Sequence, residues 1–537
     1  MKNYLIIIAL LLNAVLFSQT AHRPDNWFNL DPTTDKVNGV STERTYKELL
    51  KDKKSTTVIV GVLDSGVDFN HEDLKDVMWT NPGEIAGNGI DDDKNGYIDD
   101  IHGWNFLGGK DGTNVECENL EATRLLRKLK PKYEGKHIND FKTKEEKAEF
   151  DLFERVKQTW IETKEKFEGS YNQVKFMHDN IAALNTKIKN EQKVDKVDEK
   201  VLDFFSATDR TDKQMKMLAI AMIKSGQGKD LDEVLEDLKA GVDQLGPYVL
   251  CGINLDYNPR NIIGDDYNNP NDRNYGNPDC NGPDSFHGTH VAGTIAAARN
   301  NGKGMDGIAA DVKIMAVRCV PNGDEHDKDV ANAIRYAVDN GATILNMSFG
   351  KKYSWDKKIV DDAVKYAESK GVLLMHAAGN DHVDIDVEVH YPCKKYEDGK
   401  EATNFMDVGA LNWKGEEKIV ANFSNYGKKT VDIFSPGVDI YSTTPKNGYK
   451  DASGTSMATP VACGVAAVLK SYYPSLTPQQ IKKILIKSSL KTYKGKKVIK
   501  PGKKDEMVKF EKLGKNGGIV NLYEAVKMAE KFTKTKT

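Results

Sequence analysis

After its first seventeen residues the chain has no apolar run approaching the roughly 20 residues that a helix needs to cross a bilayer. Neither sign of charge dominates: 77 Lys and Arg face 80 Asp and Glu, a net −3. Nothing in that balance points to a basic field for nucleic acid or an anionic membrane surface. Cysteine is scarce, with 6 in 537 residues, and none has zinc-ligand spacing.

The one apolar run stands at the start. In MKNYLIIIALLLNAVLFSQTAHR, Lys2 precedes apolar residues from Tyr4 to Phe17, broken only by Asn13. The run is short for a span and has the make-up of a secretory signal peptide. Cleavage is expected between Ser18 and Ala21, by preference before Gln19, leaving no membrane span and a secreted or periplasmic chain. No cysteine follows to carry a lipid. Export permits disulfides. Cys319 and Cys463 sit in apolar stretches and read as buried thiols; Cys117, Cys251, Cys280 and Cys393 cannot be paired from sequence.

Short apolar runs then recur: VIVGVL before Asp64, VKIMAV (312–317), ATILNMS (342–348), VLLMHAA (372–378) and MDVGAL (406–411). Each has the length and uniform hydrophobicity of a strand buried on both faces. DKDVANAIRYAVDNG and DKKIVDDAVKYAESKG lie between them with helical periodicity and end in glycine. Thr477-Pro478 starts another helix, and NLYEAVKMAEKF is amphipathic. Strand alternating with helix predicts an α/β fold with a mainly parallel sheet.

Residues 115–245 interrupt that pattern. They are rich in Lys and Glu, and Phe153, Trp160, Phe167, Val174, Ile181 and Ile188 recur every seventh residue, with Val156, Met177 and Leu184 on a second stripe. The spacing predicts a coiled-coil seam or long helical hairpin, with Gly169 as a candidate break. It is read as a helical insertion, with a partner-binding or substrate-gating arm as the sharper alternative. The chain thus divides into a leader (1–18), a first core part (19–114), the insertion (115–245), a second core part (246–530) and a tail (531–537).

Three polar residues stand at the ends of buried elements. Asp64 closes VIVGVLDSGVD; His287 opens HGTHVAGTIAA, where Gly288, Ala292 and Gly293 permit close packing; Ser456 opens GTSMATPVACGVAAVL. A serine hydroxyl is a weak nucleophile until an imidazole takes its proton and a carboxylate orients the imidazole. The helix start at Ser456 favours developing negative charge. The surrounding small residues admit a substrate backbone, and Pro460 is expected in the first helical turn, where its missing N–H costs little.

In the order Asp, His, Ser, the motifs DSGVD, HGTHVAGT and GTSMATP make the chain resemble the subtilisin-like serine peptidases, the subtilases, over about residues 25–110 and 262–530. The resemblance implies the three-layer subtilisin-like fold and hydrolysis of protein or peptide substrates. Asp64 would orient the imidazole, His287 would serve as base and then acid, and Ser456 would attack the carbonyl through an acyl-enzyme. Asn380, in LLMHAAGN, matches the oxyanion-hole asparagine. Ser348, Phe349 and Gly350 match the strand that pairs with substrate, and Ala377, Ala378 and Gly379 the facing wall of the primary pocket. Those small uncharged walls are expected to take large apolar side chains. FSNYG (423–427) and DIFSPG (432–437) are also similar to the family.

The chain departs from the pattern in three ways. Asp64 and His287 are 223 residues apart, where compact members have a few tens, so the insertion is expected to emerge near the active-site rim. About 45 residues separate the expected cleavage site from Asp64, which leaves no room for the usual folding-assistant propeptide. No further domain or sorting tail is expected after the last helix. The competing readings are a protease-shaped scaffold acting through its insertion and a maturation protease for one exported partner.

GNGIDDDKNGYIDD (87–100) alternates Asp91, Asp93 and Asn95 and continues to Asp99, placing side-chain oxygens at positions 1, 3, 5 and 9 of an EF-hand loop, with the Tyr97 carbonyl at position 7; the alternative is a solvated acidic turn. Position 12 is His102 rather than glutamate, so Asp100 or a distant carboxylate would have to complete the shell. Oxygen ligands favour calcium, expected here as a structural ion; no organic cofactor is expected. The acidic segment 264–279 is a weaker candidate.

Overall fold

The predicted strands assemble into one sheet. The computed structural model describes residues 23–534, so the signal-peptide reading lies outside the described residues. The sheet comprises β1 (Val58–Asp64), β2 (Gly103–Asn105), β3 (Val312–Arg318), β4 (Ile344–Met347), β5 (Leu373–Ala377), β6 (Phe405–Leu411) and β7 (Val431–Pro436). Their order is β2-β3-β1-β4-β5-β6-β7, parallel at every pairing. β2 has three residues, too few to register as an apolar run, and β7 carries a buried Asp432 that masks it.

Alternate residues of β1 serve opposite faces, as the pleat requires. Val60 and Val62 pack with Val291 and Val461, from the helices Phe286–Ala296 and Thr455–Tyr472. Leu63 packs with Ile334 and Val364, from the helices Asp327–Asp339 and Lys357–Ser369. The fold is thus α/β in three layers: helices, parallel sheet, helices. A hairpin, β8 (Ile440–Thr444) with β9 (Gly448–Ala452), lies beside the helix that starts with Phe286.

Helices Glu121–Tyr133, Lys144–Gln192, Glu199–Phe204, Arg210–Lys224 and Leu231–Gly246 lie between β2 and β3. The second is capped by Thr143 and Glu146 and runs unbroken through Gly169, where an added Cβ would meet nothing within 4 Å. The sevenfold stripe packs against two cores rather than one seam. Near the sheet, Phe153 and Val156 join Leu125, Leu129 and Tyr353; farther out, Ile181, Leu184 and Ile188 join Met215, Leu231 and Val234. A disulfide between Cys117 and Cys251 ties the two ends of this region together. Cys319 and Cys463 are buried free thiols, as is Cys280.

Candidate active site

β1 lies between β3 and β4, where the strand order turns, and parallel sheets open a crevice at their carboxyl ends at such a point. Asp64 is the last residue of β1 and is buried. Its Oδ1 accepts from the Ser65 N–H at 2.7 Å and lies 2.7 Å from His287 Nδ1. Glycine makes the approach possible: a Cβ on Gly288 would stand 2.1 Å from the Gly66 carbonyl oxygen and 3.1 Å from Asp64 Cβ. Arg318, buried beside the turn after β1, donates from Nε to the Ser65 carbonyl at 3.0 Å and from Nη1 to Asn105 Oδ1 at 3.0 Å.

Burial disfavours the charged imidazole of His287, but the Asp64 charge and hydrogen bond, with Asp284 adding to them, hold its pKa above the ordinary histidine value. His290, one turn on, has a structural part. Its Nε2 contacts the carbonyls of Ile440 and Lys450 at 2.9 and 3.1 Å, and burial, with His287 nearby, pushes its pKa down to about 4.

Ser456 is the second residue of its helix, behind the N-cap Gly454. Its Oγ donates to the Ser348 carbonyl at 3.0 Å. In return Ser348 Oγ donates to the Ser456 carbonyl at 2.8 Å and accepts from Asn346 Nδ2 at 2.9 Å. Pro460 is the sixth helical residue, in the second turn rather than the first. Its position four residues after Ser456 removes the amide that would bond the Ser456 carbonyl, and Ser348 Oγ takes that acceptor.

Asn380 follows β5. Its Oδ1 accepts from the Thr455 N–H at 2.9 Å and Thr455 Oγ1 at 3.0 Å, which leaves Nδ2 free to donate elsewhere. A Cβ on Gly454 would lie 3.6 Å from Ser456 N and 3.7 Å from Asn380 Nδ2, so these two donors flank one small space. That arrangement can hold an oxyanion formed next to Ser456.

These groups line a cleft of about 710 Å³ together with Ser348, Phe349, Gly350, Ala377 and Gly379. Ala378 is not on the cleft: its side chain is wholly buried among Leu411, Val431 and Phe434. Of two further contributors, one carried no sequence signal and the other was expected at the rim. His390 lines the cleft from a loop with no regular pattern; the insertion supplies Leu120, Asp243 and Gln244, and the segment just after it Pro247 and Tyr248. Tyr248 stacks on Phe167, ring centroids 4.4 Å apart and planes 3° off parallel. Trp160 Nε1 donates to the Ile253 carbonyl at 2.8 Å. The insertion is therefore one wall of the cleft.

The acidic loop gathers a different set of oxygens from the spacing-based one. Carboxylate oxygens of Glu84, Asp93 and Asp100 all lie within 4.8 Å of one another. Asp91 instead accepts from the amides of Asn95 and Gly96, and Asp99 from those of Gly87, Asn88 and Gly89. Asn95 Nδ2 donates to Asp93 and Asp100, while the Tyr97 ring packs into the aromatic core against Trp104 and Tyr336. Burial, with Asp93 adding, pushes Asp100 up to about 6 against the hydrogen bonds from Tyr336, Asn81 and Asn95. Three crowded carboxylates, one wholly buried, fit a divalent oxygen-seeking cation.

The Subtilase family model matches residues 55–517. The chain belongs to the subtilase family. It is 42% identical over 186 residues to a thermophilic serine proteinase of Bacillus sp. (strain AK1), covering 34% of this chain and 42% of that one. It is 41% identical over 197 residues to a thermostable alkaline protease of Halalkalibacterium halodurans, covering 36% and 50%. To subtilisin Savinase of Lederbergia lenta it is 36% identical over 197 residues, covering 36% and 67%. The chain thus spans half or less of the length of the first two relatives. Among solved structures, proteases from Pseudoalteromonas arctica superpose with a TM-score of 0.37 at 30% identity, covering 45% of this chain and 70% of theirs.

Proposed function

We propose that the chain is an exported serine endopeptidase. The observation that carries this is the buried Asp64 carboxylate 2.7 Å from the half-exposed His287, sharing one cleft with Ser456 and Asn380. An extended peptide lies along Ser348–Gly350 by strand addition, and its main-chain N–H competes for the Ser348 carbonyl. The Ser456 hydroxyl then turns to His287 Nε2, which takes its proton as Oγ attacks the scissile carbonyl. The oxyanion is held by the Ser456 N–H and Asn380 Nδ2. His287 returns the proton to the leaving amine, and water, deprotonated by the same imidazole, releases the acyl group. The Asp64 charge stabilises the imidazolium at each step. Walls without charge favour a neutral residue before the scissile bond.

The Cys117–Cys251 disulfide supports export, because such bonds persist in oxidising compartments. Among the described residues no helix is long and apolar enough to cross a membrane. Glu84, Asp93 and Asp100 would hold a structural calcium, which would offset their mutual repulsion. Contact between the insertion and the cleft favours a substrate-gating part for it over recruitment of a separate partner.

The test is labelling with a serine-reactive fluorophosphonate, located by peptide mass spectrometry. Modification at Ser456, lost in Ser456→Ala and His287→Ala along with peptide hydrolysis, is the expected result. Proteolysis that survives in a folded Ser456→Ala variant would reject the assignment.

A further inference from the structure

The slot between Ser348–Gly350 and Ala377–Gly379 is not empty. A Cβ on Gly350 would stand 2.2 Å from His390 Cε1, 2.8 Å from Nδ1 and 2.9 Å from Nε2. A Cβ on Gly379 would stand 2.9 Å from His390 Nε2 and 3.1 Å from Cε1. The same edge of one imidazole thus touches both walls; Gly350 leaves room for it, and Gly379 leaves room both for it and for Asn425 Nδ2, which a Cβ there would meet at 2.3 Å.

The backbone that carries the ring is held from behind, and the ring itself packs against His376. Tyr391, next in the chain, exchanges two backbone hydrogen bonds of 2.8 Å with Lys351, which follows Gly350. The Lys351 ammonium is buried and paired with Glu121 of the insertion at 3.0 Å and Asp327 at 2.9 Å. Next to the His390 ring lies His376, with centroids 5.7 Å apart. His376 Nδ1 is held by Asp407 Oδ1 at 2.8 Å, and Asp407 by Lys394 at 3.1 Å. Burial and the neighbouring His376 push the His390 pKa down to about 4, so at neutral pH the ring carries no charge with which to select an acidic residue.

Resting on the endopeptidase reading, the geometry points to His390 as the specificity-determining residue of the primary pocket: it cuts the pocket short, so that a small neutral residue such as alanine or serine is taken before the scissile bond and bulky aromatic and aliphatic residues are refused. This reverses what the small walls imply when read alone. The walls give the pocket its width, and the imidazole sets its depth.

The experiment compares kcat/KM on peptide p-nitroanilides that differ only in the residue before the scissile bond: Ala, Ser, Leu, Phe, Glu and Lys. The wild-type protein is expected to prefer Ala to Phe by at least about tenfold, within the range that pocket size alone gives. His390→Ala is expected to raise the Phe-to-Ala ratio at least about tenfold, while His390→Gln, which keeps neutral bulk, leaves it near wild type. A wild-type preference for Phe or Leu over Ala overturns the inference. So does an unchanged ratio in a His390→Ala protein that still takes fluorophosphonate at Ser456. A variant that fails to fold leaves the wild-type ranking to decide alone. Wild-type protein that is neither labelled nor active removes the endopeptidase premise itself, a result distinct from active protein with the wrong ranking.

Discussion

Asn380 owes its aim to Thr455. Two donors from one residue occupy its Oδ1, so the amide has one orientation and its Nδ2 is left for the cleft. Asn380→Ala should lower kcat about 10²–10³-fold with little change in KM, a magnitude established on subtilisin, a member of this family. Steady-state kinetics check this, with circular dichroism to confirm the fold. That Asp64, His287, Ser456 and Asn380 would share one cleft was legible in the sequence, because each stands by the end of a buried element in a motif that resembles the subtilases. His390 was not. Its part arises from contacts with Gly350 and Gly379, remote in sequence, and nothing in its own loop marks it.

Among the elements, the acidic loop carries the clearest linkage to pH. Asp100 has a folded-state pKa of about 6 against an ordinary 3.8. The fold therefore binds a proton that the unfolded chain has released between those values, so without a cation stability falls as pH rises from about 4 through 6. A cation among Glu84, Asp93 and Asp100 replaces that proton. Calcium should accordingly raise Tm at pH 7 to 8 and have little effect near pH 4, and Glu84→Gln should reduce the gain. Scanning calorimetry with calcium and with a chelator measures it; equal Tm values at pH 8 would reject the site. Spacing could not find Glu84, which precedes the EF-like segment and reaches it only through the fold. Strands were legible where apolar runs exceeded three residues. β7 was hidden because Asp432 is neutralised by Lys394, a partner that only tertiary structure supplies.

For the molecule as a whole, two bodies meet at the cleft. The α/β body was readable from alternation alone, the insertion from its heptads, and its nearness to the cleft from its place between Asp64 and His287, but not that Cys117 pairs with Cys251. The pairing depends on where the chain after Gly246 returns, which no local pattern marks. The disulfide closes a separation of 134 residues. In a chain-entropy account, a loop of that size is worth up to about 5 kcal/mol. Cys117→Ser with Cys251→Ser should therefore lower Tm and speed proteolytic nicking near residues 247–257, while Ser456 labelling persists. A Tm equal to wild type would mean that the apolar contacts of Leu125, Phe153 and Trp160 hold the insertion without it.

The long helix also gives the molecule a lever. It has 49 residues, about 74 Å at 1.5 Å per residue. Its fulcrum is the Trp160–Phe167 stretch, clamped to the cleft wall at Ile253 and Tyr248. The 25 residues beyond Phe167 form an arm of about 37 Å, so a tilt of about 5° swings the far end by about 3 Å and the fulcrum hardly at all. A small rotation at that clamp would therefore show as a far larger displacement at the tip than at Ile253 or Tyr248.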